Sequence, residues 1–272
     1  MSAVDDLALS GQDLEEQLEK QLEFLSLVHP FLKEQEYHTE CAEIRAIYRT
    51  SSLVKSVNLW RIDERGIEYY KRFLQNVNGK PVCLYYSVFA FNPKKECYKE
   101  DGTRYPQKCV NKENAEYTQI LVMDFDKITE EEFRKYQEIF REIDIETIDI
   151  FTGHGYQSII LLSHRVYNKN ILKDFTNLLI RKGFPVDESI IDSARIMRMP
   201  YSFNCKAYDV KSNYYSDNPQ PIKTEIVNIT RRRYNVDDIF FLIESLPDKE
   251  ADKPQTYSNP DPNFDFQPQL PQ

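Results

Sequence analysis

The sequence predicts an α+β protein, a helical N-terminal region joined to a mostly antiparallel sheet. Three observations predict it. Leu14, Leu18, Leu22 and Leu25 recur at helical spacing near the N-terminus. Stretches of strand length, rich in apolar, β-branched and aromatic residues, fill the centre. Two of them, 147–152 and 156–163, are separated only by Gly153-His154-Gly155, the spacing of an antiparallel hairpin.

The elements follow in order. Ser10, with Asp13 three residues on, resembles a capping box and starts a helix over 11–37. A second helix is expected after Thr39, so 1–50 reads as a helical N-terminal region. A strand fits 54–62, and a helix rich in Tyr and Phe fits 66–77. The apolar, β-prone stretch 81–91 is a buried strand, whereas 92–114, with Pro93, Gly102 and Pro106, is a long polar loop. A strand over 117–126 is followed by an acidic amphipathic helix from Thr129 to about 143. After the hairpin, a helix over 169–182 is stopped by Gly183 and Pro185. Strands fit 205–215 and 221–229, and a short helix fits 236–246. A main domain over 51–246 results, with no internal repeat. Residues 247–272, rich in Pro, Asp, Asn and Gln, read as a flexible linker or tail.

Composition narrows the function classes. Hydrophobic residues are 41% and charged residues 29% of 272, the balance of a folded protein with a sizeable core. Apolar runs such as 159–162 are too short to span a bilayer, and the acidic N-terminus lacks the pattern of a secretion signal, so no membrane association and a cytoplasmic location are expected. The five scattered cysteines form no C-x-x-C pair, which favours free thiols over a disulfide framework or zinc knuckle. The net charge of -9 is unevenly distributed: residues 1–45 carry about -8, 234–272 about -6, and 164–233 about +6. Phosphate attraction is screened within ~8–10 Å, so an acidic total permits a local basic channel.

Three segments carry chemistry. In Ile120-Leu121-Val122-Met123-Asp124-Phe125-Asp126, strand alternation puts both aspartates on one face, their Cα atoms roughly 6.6 Å apart. Carboxylates that close repel unless a cation lies between them, which suits Mg²⁺ or Mn²⁺; two solvated acids at a strand end are the plainer alternative. Around Gly153-His154-Gly155, backbone N–H groups can approach an anion, with Thr152, His154 and Gln157 as side-chain donors, or the turn is an ordinary one. The third segment, 192–206, offers Asp192 and then Arg195, Arg198 and Lys206, acids for ions and cations for remaining phosphate charge. Weak surface ion pairs are its alternative. Arg195 and Arg198 lie three apart, so an extended strand points them to opposite sides.

Together, Asp124-Phe125-Asp126, the Gly-His-Gly-Tyr-Gln hairpin, and Ile191-Asp192 followed by Ala194-Arg195-Ile196-Met197-Arg198-Met199-Pro200 and Asn204-Cys205-Lys206 resemble the archaeo-eukaryotic primase superfamily, most closely the primase-polymerases of plasmids, phages and mobile elements. The likeness spans about 80–230. It implies an RRM-like catalytic core and two divalent metals, Mg²⁺ or Mn²⁺, held by Asp124, Asp126 and Asp192. It also implies nucleotide contacts from Thr152, His154, Gln157, Arg195, Arg198 and Lys206. Gln157 stands where the family has a phosphate-binding histidine, and Pro200-Tyr201-Ser202 stands where many relatives have Pro-Gly-Thr. The resemblance thus implies DNA-templated nucleotidyl transfer, with a DNA template and nucleoside triphosphates as partners and a replicative helicase fused or associated. A second implied reading is a catalytically weakened nucleotide- or DNA-binding module of a replication initiator. Asp124 to Ile128 also resembles the D-x-D-x-[TV] of haloacid-dehalogenase-type phosphatases, with Ile128 off pattern and Asp192 unexplained.

Overall fold

The computed structural model describes residues 7–34, 39–96, 98, 101–103 and 109–249, so most of the tail expected over 247–272 lies outside the described residues. The first helix, α1 (Gly11–Val28), begins where the Ser10 hydroxyl accepts a hydrogen bond from Asp13 N (3.2 Å), and it buries Leu14, Leu18, Leu22 and Leu25. It ends well short of 37, because Pro30 cannot continue it and opens a 3₁₀ turn, Pro30–Lys33. The helix expected after Thr39 is instead a strand, β1 (Ala42–Tyr48). It pairs on one side with β2 (Val54–Leu59) and on the other with β3 (Val82–Ser87), and this pairing overrides the helical propensity of its Ala, Glu and Arg. Region 1–50 is therefore mixed rather than helical.

Between β2 and β3 lies α2 (Glu64–Val77), capped by Asp63. After β4 (Ala90–Phe91), the long strand β5 (Ala115–Asp126) leads into α3 (Glu130–Glu142), which starts at a complete Thr129–Glu132 capping box. The hairpin β6 (Ile148–Phe151) and β7 (Gly155–Val166) follows, then α4 (Ile171–Arg181). The expected strand over 205–215 is absent. After β8 (Ile196–Arg198) and β9 (Phe203–Asn204) the chain there forms a 3₁₀ turn, Lys206–Tyr208, and then tight turns in which Asp209 Oδ1 accepts from Lys211 N and Ser212 Oγ from Tyr214 N. The chain continues through β10 (Ile222–Lys223), β11 (Glu225–Asn228), β12 (Arg233–Tyr234) and α5 (Val236–Glu244).

Two sheets result. The smaller has the order β2-β1-β3-β8, and the larger β11-β6-β7-β5-β4 with β12 attached to β7; β10 and β9 pair separately. Among the described residues every strand pairing is antiparallel except β12 with β7, in keeping with the mostly antiparallel sheet expected from the sequence. β5, α3, β6, β7 and α4 reproduce the first five elements of a βαββαβ unit. One continuous core, running from Leu14 to Ile243, joins both sheets and the five α-helices of the described residues.

The N-terminal helix also braces a distant loop. Gln21, fully buried, donates to the carbonyls of Pro200 (2.9 Å) and Tyr201 (3.2 Å) and accepts from the Tyr70 hydroxyl (2.6 Å). Gln17 donates to Tyr201 O as well, at 2.7 Å. Gln21→Leu leaves two carbonyls and a hydroxyl short of a buried partner, so it is expected to lower stability by about 2–4 kcal/mol, measured as a shifted urea midpoint at unchanged slope.

Candidate active site

β5 is held by the burial of Ile120, Leu121, Val122 and Met123, and its apolar run ends at Asp124. Phe125 points into the core against Phe133 (5.4 Å) and Tyr136 (5.8 Å), while Asp124 and Asp126 share the other face. In the β5–β7 register Asp124 lies opposite Gln157 and Asp126 opposite Gly155. A Cβ on Gly155 would fall 2.1 Å from the Phe125 carbonyl oxygen, so only glycine permits this pairing. The Gln157 amide stands beside the Asp124 carboxylate and favours its charged form. Burial, followed by the negative charges of Asp126 and Asp187, pushes Asp124 up to about 7, against the opposing pull of Arg198 and the Gln157 amide.

Asp187 is a site candidate that the sequence did not single out. Its N–H donates to the Asp124 carbonyl (2.8 Å), bringing the segment after α4 onto the end of β5, and its carboxylate accepts from Ser189 N and Oγ. Asp192 sits differently. Its Oδ1 accepts from Ala194 N (3.0 Å), closing a turn, and the acids that act most strongly on Asp124 are Asp126 and Asp187. Both aspartates belong to one short acidic segment, 187–192, in which the resemblance to the primase superfamily points to Asp192.

The hairpin turn brings some of its predicted donors forward and withdraws others. Thr152 is buried, and its N and Oγ1 both donate to Gly155 O (3.0 and 3.1 Å), so the hydroxyl is spent inside the turn. His154 stacks on Tyr214 with ring centroids 3.8 Å apart and planes 10° from parallel. Burial, then the positive charges of Lys206 and Arg198, push the His154 imidazole below its ordinary value. Lys206 lies with its Nζ 5.3 Å from the Tyr214 ring centroid and has no ion-pair partner among the described residues. Tyr214 escaped the sequence reading because an aromatic in a polar segment carries no motif.

Arg198 is buried on β8, its guanidinium 4.7 Å over the Tyr85 ring. Burial works against its charge, but the neighbouring Cys83 thiol, Tyr85 and Asp124 outweigh it and hold its pKa above the usual value. Arg49 joins the group, donating to Cys83 Sγ (3.2 Å) and Tyr85 OH (2.5 Å). Burial pushes the Cys83 thiol up, yet the two guanidiniums together pull it below its ordinary range. Arg195, just before β8, is not among the main charges acting on Asp124 or His154. Three buried polar atoms without a hydrogen-bond partner belong to predicted site residues: Gln157 Oε1, Arg195 Nε and Arg198 Nη1.

Among the described residues, no three His, Cys, Asp or Glu side chains converge closely enough to hold a metal ion unaided. The donor set nevertheless fits Mg²⁺ or Mn²⁺. These hard cations are commonly held by one or two carboxylates, with water and substrate phosphate completing the shell. The repulsion that Asp126 and Asp187 exert on Asp124 is what such an ion would relieve.

No protein-family profile matches the chain, and no curated protein matches it. Solved structures do. The AEP (archaeo-eukaryotic primase) domain of the cyanophage S-2L primase-polymerase superposes with a TM-score of 0.52 at 12% identity, over 83% of this chain and 97% of that one. The catalytic domain of primase RepB′ in complex with initiator DNA gives 0.50 at 10% identity, over 84% and 92%. The chain therefore has the archaeo-eukaryotic primase-polymerase fold.

The raised Asp124 carboxyl has a consequence for stability. Its folded value, about 7, lies above the ordinary 3.8, so folding favours the protonated form. Stability is therefore lost as pH rises between these values and stays reduced above 7. Asp124→Asn is expected to be more stable than the native chain at pH 8 in chelator, with the gap closing toward pH 4, as read by urea unfolding at each pH.

Proposed function

We propose that this chain catalyses DNA-templated nucleotidyl transfer, making or extending a primer by a two-metal mechanism. One observation carries the reading: Asp126 and Asp187 act on Asp124 at the end of β5, and Arg198 and Lys206 act on Asp124 or on His154 in the turn beside it. Acids on one side and cations on the other match the needs of a metal-bound nucleoside triphosphate. The fold shared with the S-2L and RepB′ domains supports it.

In this reading Asp124 and Asp126 hold the ions, and Asp187 replaces Asp192 as the third carboxylate. The bound metals supply Lewis-acid charge neutralisation at the phosphates and at the attacking hydroxyl. Lys206 and Arg198 take the remaining phosphate charge. His154, neutral near pH 7 because its pKa is lowered, offers one N–H donor and is held flat by Tyr214. Gln157 steers the Asp124 carboxylate by its amide, and Arg195, on the other side of the strand, supports structure or template. A DNA template and nucleoside triphosphates are the partners. Association with a helicase and a place in mobile-element replication rest on the sequence resemblance alone. The phosphatase-type likeness of Asp124 to Ile128 gains nothing from this fold.

A second reading has one observation in its favour: Gln157, opposite Asp124 in the β5–β7 register, is an uncharged amide, so the site has no acid at that position. It makes the chain a nucleotide- or DNA-binding module without turnover. Primer extension separates the two. Asp124→Ala with Asp126→Ala is expected to abolish incorporation in Mg²⁺ and Mn²⁺, and full activity in that variant would sink the proposal. Asp187→Asn is expected to lower kcat at least about a hundredfold, well beyond the loss from Asp192→Asn. Gln157→His is expected to keep or raise activity, whereas Gln157→Ala raises KM for nucleotide.

A further inference from the structure

The outer edge of the small sheet carries a second concave surface. After β2 the chain runs through Trp60 and Arg61 and turns into α2. A Cβ on Gly66 would lie 2.1 Å from the Arg61 carbonyl oxygen, so glycine lets this segment press against the first turn of the helix. The result is a cavity of about 760 Å³ lined by Trp60, Arg61, Arg65, Tyr69 and Arg72, among others.

Its chemistry is aromatic and basic. Arg65, Tyr69 and Arg72 fall at i, i+4 and i+7, one face of α2. α2 buries Tyr70, Phe73, Leu74 and Val77 on its core side, yet leaves Tyr69 59% exposed, a large ring with no packing duty. Lys94 sets its ammonium 5.9 Å from the centroid of the half-buried Trp60 ring. The two acids at the rim are engaged locally. Asp63 caps α2 by accepting from Gly66 N (2.8 Å), and Glu68 accepts from Arg72 Nε (2.8 Å). Arg65 is exposed and has no ion-pair partner among the described residues.

We propose that this concavity binds single-stranded nucleic acid, with bases stacked on Tyr69 and Trp60 and phosphates held by Arg65 and Arg72. An exposed Tyr69 ring and a half-buried Trp60 ring interleaved with guanidiniums suit unpaired bases, whose faces are free, and not a duplex, whose bases are already stacked. Recognition of this kind is tolerant of sequence, because every base offers a π-face. The location fits a strand that also reaches the active site. β2 is one edge of the β2-β1-β3-β8 sheet and β8, which carries Arg198, is the other, three strand spacings or about 14 Å away. The inference goes beyond the proposed reaction, since binding here needs no catalysis.

Trp60 is the only tryptophan of the chain, so its emission reports on this surface alone. Titration of the full-length protein with oligo(dT) is expected to quench that emission saturably, more weakly as salt rises. Tyr69→Ala, and Arg65→Ala combined with Arg72→Ala, are each expected to weaken the affinity about tenfold or more, with the circular-dichroism spectrum unchanged. Asp124→Asn is expected to leave the quenching intact, so loss of the proposed reaction and loss of this site are told apart. Absence of quenching, or quenching that survives the Tyr69 and arginine variants, overturns the proposal. So does an affinity for dTTP alone equal to that for the oligonucleotide, which would make the surface a mononucleotide site.

Discussion

The pairing of β5 with β7 is the constraint on which the rest of the molecule depends. It sets Asp124 against Gln157 and Asp126 against Gly155, and it lays Ile120 to Val122 beside Ile159 to Leu161 in the core. Side chains alternate with period two, so a slip of one residue would turn the carboxylates into the core and Phe125 out of it. Gly155 holds that register at the open end through its contact with the Phe125 carbonyl. Toward the other end β5 takes up a bulge between Thr118 and Ile120, where the Thr118 hydroxyl serves the Val88 and Ile120 carbonyls.

Two acids close together in this sheet show how the fold separates structure from chemistry. Asp149, fully buried on β6, accepts from Gln137, Thr147, Ser158 and Asn228, so its charge is dispersed over four donors. Asp124 has the Gln157 amide beside it, with Asp126 and Asp187 acting on it as like charges. The first is an anchor. The second is held in an unfavourable state that a cation would relieve, the kind of local cost a fold carries at a working site and offsets with its core.

Much of this could be read from the sequence where the signal was local. The starts of α1 and α3 follow from capping residues within a single turn, and the carboxylate face of β5 from alternation along one strand. What failed depended on partners far along the chain. Residues 42–48 carry good helix formers, and only strands on both sides make them β1. The spent hydroxyl of Thr152 is set by how the hairpin closes, and the approach of Asp187 to β5 by a hydrogen bond to Asp124 O. Composition offers no hint of either.

Tyr201 gives a different sense to the position where many primase-polymerases have glycine. Its φ is +54°, the left-handed region that glycine enters freely and a bulky side chain enters at a cost of roughly 1 kcal/mol or more. Four hydrogen bonds surround that backbone: Tyr201 N to Thr224 O, and Gln17 and Gln21 to the carbonyls of residues 200 and 201. All address main-chain atoms, so the brace reads the path of the chain and ignores which side chain it carries. Exchange of glycine for tyrosine at such a joint is a matter of backbone torsion, met by a brace that grips main-chain atoms alone.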